Sequence, residues 1–252
     1  LYSAPTFTGV PMGAGIQQPQ VEQGGGSGAF LDVFKVLFEP AAVFERVRAR
    51  PNFVAPFLTI IAVQCVLFMI NLSYLQVALQ AQLAAAQSSG PARPMPGTTL
   101  LVVFGLLGLL VFLGIVFLLT ALLLWVLASV MGGGEAQFST LLSVALYSAV
   151  PSAILLYIIG TVVLHMQGPS GLTSTQDLQP ALGLDLLAPD KKGFVGAVLK
   201  AINPFSIWGI VLTAIGVSTT QRVSKGTGFT VAISVFAIGL LIAAGLAAIF
   251  NR

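Results

Sequence analysis

Residues 98–130 read TTLLVVFGLLGLLVFLGIVFLLTALLLWVLASV, with no ionisable side chain and no proline. An apolar run of about 20 residues spans the ~30 Å of a bilayer's hydrocarbon as a helix. This run exceeds that length, so it is expected to tilt or project beyond the membrane.

Four further apolar runs flank it, and the spans predicted along the chain are 53–75, 99–130, 138–165, 203–221 and 229–250. Only 8% of the residues are charged, against roughly 25% in an average soluble domain. The fold class that follows is all-α, a polytopic membrane protein with five transmembrane helices. The formal charge of +3 is small and scattered, whereas a nucleic-acid surface needs a clustered basic face. Cys65 is the only cysteine, so neither a disulfide framework nor a thiolate metal motif is expected.

Residues 1–29 are rich in Gly, Pro, Gln and Ser and end in GGGSG, too poor in bulky apolar side chains to build a core. They are expected to form a flexible tail, ordered only where a partner holds them. They also lack the basic end and apolar centre of a signal peptide. Because the sequence opens at Leu1 rather than Met, the expectation is that numbering begins inside the gene product or that some residues are missing.

Residues 30–52 are expected to form interfacial amphipathic helices. In FLDVFKVLFEP the residues Phe30, Phe34, Leu37 and Phe38 recur at helical spacing, the pattern of a helix lying in the membrane surface. In PAAVFERVRAR, Val43, Phe44 and Val47 share one side, while Arg46, Arg48 and Arg50 cluster beside the first span. That cluster reads as a positive-inside anchor or as a docking surface for a soluble partner or anionic lipid. With the N-terminus in the cytoplasm, Lys35, Arg46, Arg48, Arg50, Arg222 and Lys225 are inside; Arg93, Lys191, Lys192, Lys200 and Arg252 are outside. The first span's arginines decide that close balance and place the C-terminus on the external, periplasmic side. The Gly-rich MGGGEAQF between the second and third spans predicts antiparallel neighbours. Residues 166–202 form a long loop whose ALGLDLLAP and GFVGAVLKAI look like surface-lying segments.

Residues 53–252 are expected to form the five-helix transmembrane domain, and within its five spans no Asp, Glu, Lys or Arg lies away from an end. Ion-coupled transport and voltage sensing place ionisable groups at depth, so a self-sufficient ion-coupled transporter is not expected. Motifs of the HExxH, GxSxG and CxxC kind are absent. His165, at a span end without a carboxylate or cysteine at ligand spacing, reads as an interfacial residue rather than a base or metal ligand. No cofactor, metal or catalytic residue is expected. An intramembrane enzyme would require a buried polar cluster around His165.

Milder polar residues point to helix packing. Gln64 and Asn71, seven apart, share a face and suit interhelical hydrogen bonds. Ala145, Ala149 and Ala153 form a small-residue stripe beside Ser148 and Ser152, and Pro151 is expected to bend that helix, leaving carbonyls for a neighbour or a serine to satisfy. The stripe packs helices, or the kink lines a cavity. Ala243 with Ala247, and Ala244 with Ala248, make further small rows. In AINPFSIWG, Asn203 suits an N-cap and Pro204 the first helical position. Trp208 lies where aromatic rings gather at a membrane surface.

Taken together, GGGEAQFSTLLSVALYSAVP, INPFSIWGIVLTAIGVSTTQRVSKG and LFEPAAVFERVRARPNFVAPFLTIIAV resemble the Yip family of Ypt/Rab-interacting membrane proteins, in its bacterial branch, over roughly residues 30–250. The resemblance implies a five-helix integral membrane domain with a cytoplasmic N-terminus, and no catalytic residues. Eukaryotic relatives act in vesicle traffic and bind prenylated Rab GTPases; this chain has a short low-complexity tail in place of their longer cytosolic region. Some bacterial members accompany ABC-type exporters as accessory factors. The expected function is a non-enzymatic bacterial inner-membrane protein that binds membrane lipids and other integral membrane proteins as a scaffold or accessory subunit. The alternative is a transporter or lipid-handling protein with its site near the Pro151 kink.

Overall fold

A computed structural model describes residues 27–87, 95–132, 136–188 and 193–250. Most of the N-terminal tail, Gly133–Glu135 of the glycine turn, and Arg93, Lys191, Lys192 and Arg252 lie outside the described residues. Among those described there is no strand. The protein is an all-α, polytopic membrane protein.

Two helices open the chain, α1 (Ser27–Lys35) and α2 (Pro40–Ala49). Then come α3 (Val54–Ile70), α4 (Leu72–Gln87) and the long α5 (Thr98–Gly132). A bent helix follows as α6 (Phe138–Ser148), a π turn (Pro151–Leu155) and α7 (Leu156–Gln167). After a loop with three short 3-10 turns come α8 (Gly193–Ala201), α9 (Pro204–Gln221) and α10 (Lys225–Phe250).

Among the described residues, α5 and α10 alone are single helices long and apolar enough to cross a bilayer. The pairs α3/α4, α6/α7 and α8/α9 qualify when each is taken as one span bent by 62°, 43° and 63°, which brings the number to as many as five. Two to five spans are thus consistent with the structure, the upper figure being the five expected from the sequence. The first break is at Asn71, after which Gln76, Gln80 and Gln87 make one side of α4 polar and Gln82 stands apart from them. Residues 76–87, unassigned from the sequence, form a helix whose Gln82 Oε1 accepts from Thr175 Oγ1 at 3.3 Å. At 35 residues α5 is about 52 Å long, and only 6% of its most apolar window is buried in the protein. Its remaining surface is left for lipid.

The core sits where α2, α6 and α9 meet. Val43, Phe44, Leu141, Val144, Leu212 and Val217 are fully buried there. Here the fold differs from the surface-lying helix expected of α2, because its apolar face is covered by α6 and α9 rather than by lipid. Helix α1 divides its faces differently: Val33 and Val36 turn inward, while Phe30, Phe34 and Phe38 remain exposed. The two helices are joined by Arg46, whose Nε and Nη2 donate to the two oxygens of Asp32 at 2.9 and 2.7 Å. That hydrogen-bonded carboxylate holds the Arg46 guanidinium above its ordinary range. α1 and α2 mark one end of the bundle, and the 166–202 loop marks the far end. In that loop, partial burial pushes the Asp177 carboxyl up, but hydrogen bonds from Thr173 and Ser174 outweigh it and leave the group below the usual carboxylate range.

Close approach of these helices depends on glycine at two places. A Cβ on Gly228 would meet the Ala214 carbonyl oxygen at 2.5 Å, and one on Gly216 would lie 2.7 Å from Val144 and 3.0 Å from the Phe44 ring. Gly108 faces open space. Gly216→Val is therefore expected to destabilise the fold by about 1–3 kcal/mol through overpacking, whereas Gly108→Ala leaves it unchanged or slightly steadier. The check is thermal unfolding in detergent, followed by a thiol-reactive dye that reports exposure of the half-buried Cys65.

Candidate functional site

The bend at Pro151 organises the middle of the bundle. Proline has no N–H, so the helix interior loses one backbone bond and its ring crowds the preceding turn. The chain answers with a π turn, in which the Leu156 N–H reaches the Pro151 carbonyl. In lipid a freed carbonyl must find a partner inside the protein. Gln64 of α3 reaches the same turn: its Nε2 donates to the Ala153 oxygen at 2.6 Å, across 89 residues of sequence. Ser152 Oγ donates to the Ala149 oxygen at 3.1 Å. A neighbour and a serine thus both bond carbonyls of this bend. The Ala149 oxygen also accepts from the Ala153 N–H at 2.6 Å, and the carbonyl that Pro151 deprives of its helical donor is that of Tyr147, four residues earlier.

A cavity lies on each side of the π turn. The first, of about 340 Å³, is a cleft between α6, α9 and α10 lined by the small residues Ala145, Ala149, Gly209, Thr213, Gly239 and Ala243. Ala145 is buried, while Gly239 and Ala243 are exposed, so the cleft reaches the protein surface along α10. Ser148 also lines it; the residue is 4% exposed and its Oγ has no hydrogen-bond partner. The alanine stripe read from the sequence thus divides. Ala145 and Ala149 face the cleft, and Ala153 presents its carbonyl to Gln64. The second cavity, of about 290 Å³, lies between α3, α5, α7 and the far-end loop, with Leu156, Tyr157 and Gly160 of the bent helix in its wall.

The other sequence candidates are dispersed. Arg46 is paired with Asp32, Arg48 Nη2 lies 2.9 Å from Glu45 Oε2, and Arg50 caps the end of α2 on the exposed surface. Two of the three arginines therefore have acidic partners and do not form one free basic patch. At the far end, Asn203 Oδ1 accepts from the Ser206 N–H at 2.9 Å with Pro204 at the first position, and Trp208 is exposed one turn on. That is the N-cap expected of AINPFSIWG. Asn71 Nδ2 donates to Thr161 Oγ1 at 2.9 Å, and Asn71 Oδ1 lies 3.1 Å from His165 Nε2. The Tyr74 ring centroid lies 4.4 Å from that of His165. This cluster joins α3 to α7, but His165 is exposed. Among the described residues no group of three or more His, Cys, Asp and Glu could hold a metal ion.

A single apolar bundle bent at Pro151 and capped at Asn203 is the context in which the family comparison falls. The Yip1 domain model matches residues 34–246. This chain belongs to the Yip1 family. The Yip1 match runs from within α1 into α10, so the π turn, its Gln64 bond and both cavities lie inside the domain. A curated relative is the membrane protein YknW of Bacillus subtilis (strain 168), 30% identical over 211 residues that cover 82% of this chain and 85% of that protein. No solved structure matches.

Replacing Gln64 by Leu leaves the Ala153 carbonyl without its side-chain donor. The expected loss is about 0.6–2 kcal/mol, the range for interhelical hydrogen bonds in membranes. Unfolding followed by Trp125 and Trp208 fluorescence checks it, and an unchanged midpoint would mean that the bond contributes nothing.

Proposed function

We propose that this Yip1-family membrane protein is a non-enzymatic scaffold or accessory subunit that binds another integral membrane protein, such as an ABC-type exporter, in a bacterial cytoplasmic membrane with its N-terminus in the cytoplasm. The observation that carries this reading is the cleft of small residues reaching the surface at Gly239 and Ala243. Helices approach closely in lipid where side chains are small, and a hydroxyl at such a seam gains from a partner's hydrogen bond. Ser148 brings an unpartnered hydroxyl to that cleft. A partner's transmembrane helix fits this chemistry; nucleic acid does not.

The chemistry of transport and catalysis finds less support. α3, α5, α6, α7 and α9 contain no Asp, Glu, Lys or Arg, the groups that carry protons or follow ions at depth. The Arg46–Asp32 platform at the near end would fix orientation and steady the bundle rather than react.

A photoreactive residue placed at the exposed Leu246, one turn along α10 from Ala243, tests the reading in native membranes. The expected product is a crosslink to one integral membrane protein, which also co-purifies at fixed stoichiometry in mild detergent, and Ala243→Phe abolishes both by filling the cleft. A chain that purifies alone and crosslinks to no protein contradicts the proposal.

A further inference from the structure

The cavity on the α3 side of the π turn differs from the small-residue cleft in shape and chemistry. Its walls are bulky and apolar, formed by Leu67, Phe68, Leu75, Leu156, Leu178 and Leu182. Its floor reaches toward the middle of the bundle at Gln64, whose amide is already engaged by the Ala153 carbonyl. Its far-end mouth carries a cation, Lys200, in the last turn of α8.

Lys200 is half-buried, and its Nζ donates to a single acceptor, the Gln179 carbonyl oxygen at 2.7 Å. An ammonium has three N–H donors, so two find no protein acceptor among the described residues. The acids of the same loop, Asp185 and Asp177, attract this charge from nearby without bonding to it. Asp177 Oδ2 accepts from the N–H and hydroxyl groups of Thr173 and Ser174, and Asp185 Oδ1 accepts from the Gly183 N–H at 2.8 Å. Asn203, also at the mouth, spends its side chain on the Ser206 N–H and on the Lys200 and Ala201 carbonyls. A half-buried ammonium with two unused donors gains from an anion that bonds it directly.

We propose that this cavity binds an acidic amphiphile, with its apolar chain in the slot between α3 and α7 and its carboxylate or phosphate head against Lys200. The polarity runs the right way for a molecule that enters from the membrane, since the charged end lies at the far surface of the bundle and the apolar end toward its middle. The volume of about 290 Å³ is at the small end of ligand pockets, ~300–1,000 Å³, and suits one chain. This site goes beyond the partner-binding reading and uses a different face of the bent helix, so either can fail without the other.

Native mass spectrometry of the full chain released from nanodiscs tests it, with three probes: phosphatidylglycerol, phosphatidylcholine and oleic acid. The protein is expected to retain phosphatidylglycerol or oleic acid about fivefold over phosphatidylcholine, the preference that one lysine near a membrane surface provides. Which acidic probe is retained identifies the source of the head group. Lys200→Gln is expected to remove the preference and Lys200→Arg to keep it. Gly160→Leu, whose side chain would grow toward Leu182 from a Cβ 3.7 Å away, is expected to reduce retention of both acidic probes. Equal retention of phosphatidylcholine, or a preference that survives in folded Lys200→Gln, overturns the proposal.

Discussion

The hydrogen bond from Gln64 to the Ala153 carbonyl holds the bend on which the middle of this protein depends. A bilayer leaves no water to satisfy a backbone carbonyl at depth, so a proline in a spanning helix needs a neighbouring helix to complete it. Here an uncharged amide on α3 bonds the turn that follows the proline, a π turn joining two helical segments at 43°. The bend separates the segments' neighbours enough to leave space on both sides. On one side lie α9 and α10 with small residues; on the other lie α3 and α5 with large apolar ones. The two cavities thus flank one bent helix, and their different chemistry comes chiefly from its neighbours.

The near end of the bundle is held in another way. Helix α2 buries Val43, Phe44 and Val47 against α6 and α9, and Gly216 allows the Phe44 ring to come that close. Tyr147 Oη donates to the Ala29 carbonyl oxygen at 3.2 Å, which fastens α6 to α1 as well. The N-terminal helices are therefore part of the folded domain, in agreement with a Yip1 match that begins at residue 34. The exposed Phe30, Phe34 and Phe38 remain as an outward face suited to lipid.

Much of this was legible in the sequence because bilayer physics acts on local composition. Apolar runs announced the spans, Asn203-Pro204 announced a helix start, and Pro151 announced a bend. Gln64 stood out as a polar side chain at depth, but its partner lies 89 positions away, and no local pattern reveals such pairing. The burial of α2 escaped notice for the same reason, since an amphipathic helix looks alike whether lipid or protein covers it. The alanines at 145 and 149 read as close-packing residues, while nothing in the sequence marked the glycine at 216; only the third dimension shows a filled contact at the glycine and an open cleft at the alanines. Lys200 counted as a loop charge in setting topology, and its place at a cavity mouth follows from the fold of residues 178–203.

The family relationship shows membrane residence and fold, and the cavities give that fold two surfaces with distinct chemistry. Both flank the bend. An electron-microscopy density of the protein in lipid nanodiscs, resolved well enough to show carbonyl positions, tests the bend directly. The account predicts a π turn over Pro151–Leu155 with the Gln64 amide within hydrogen-bonding distance of the Ala153 oxygen and open space on both flanks. A continuous α-helix through those residues, with Gln64 turned away, would contradict it.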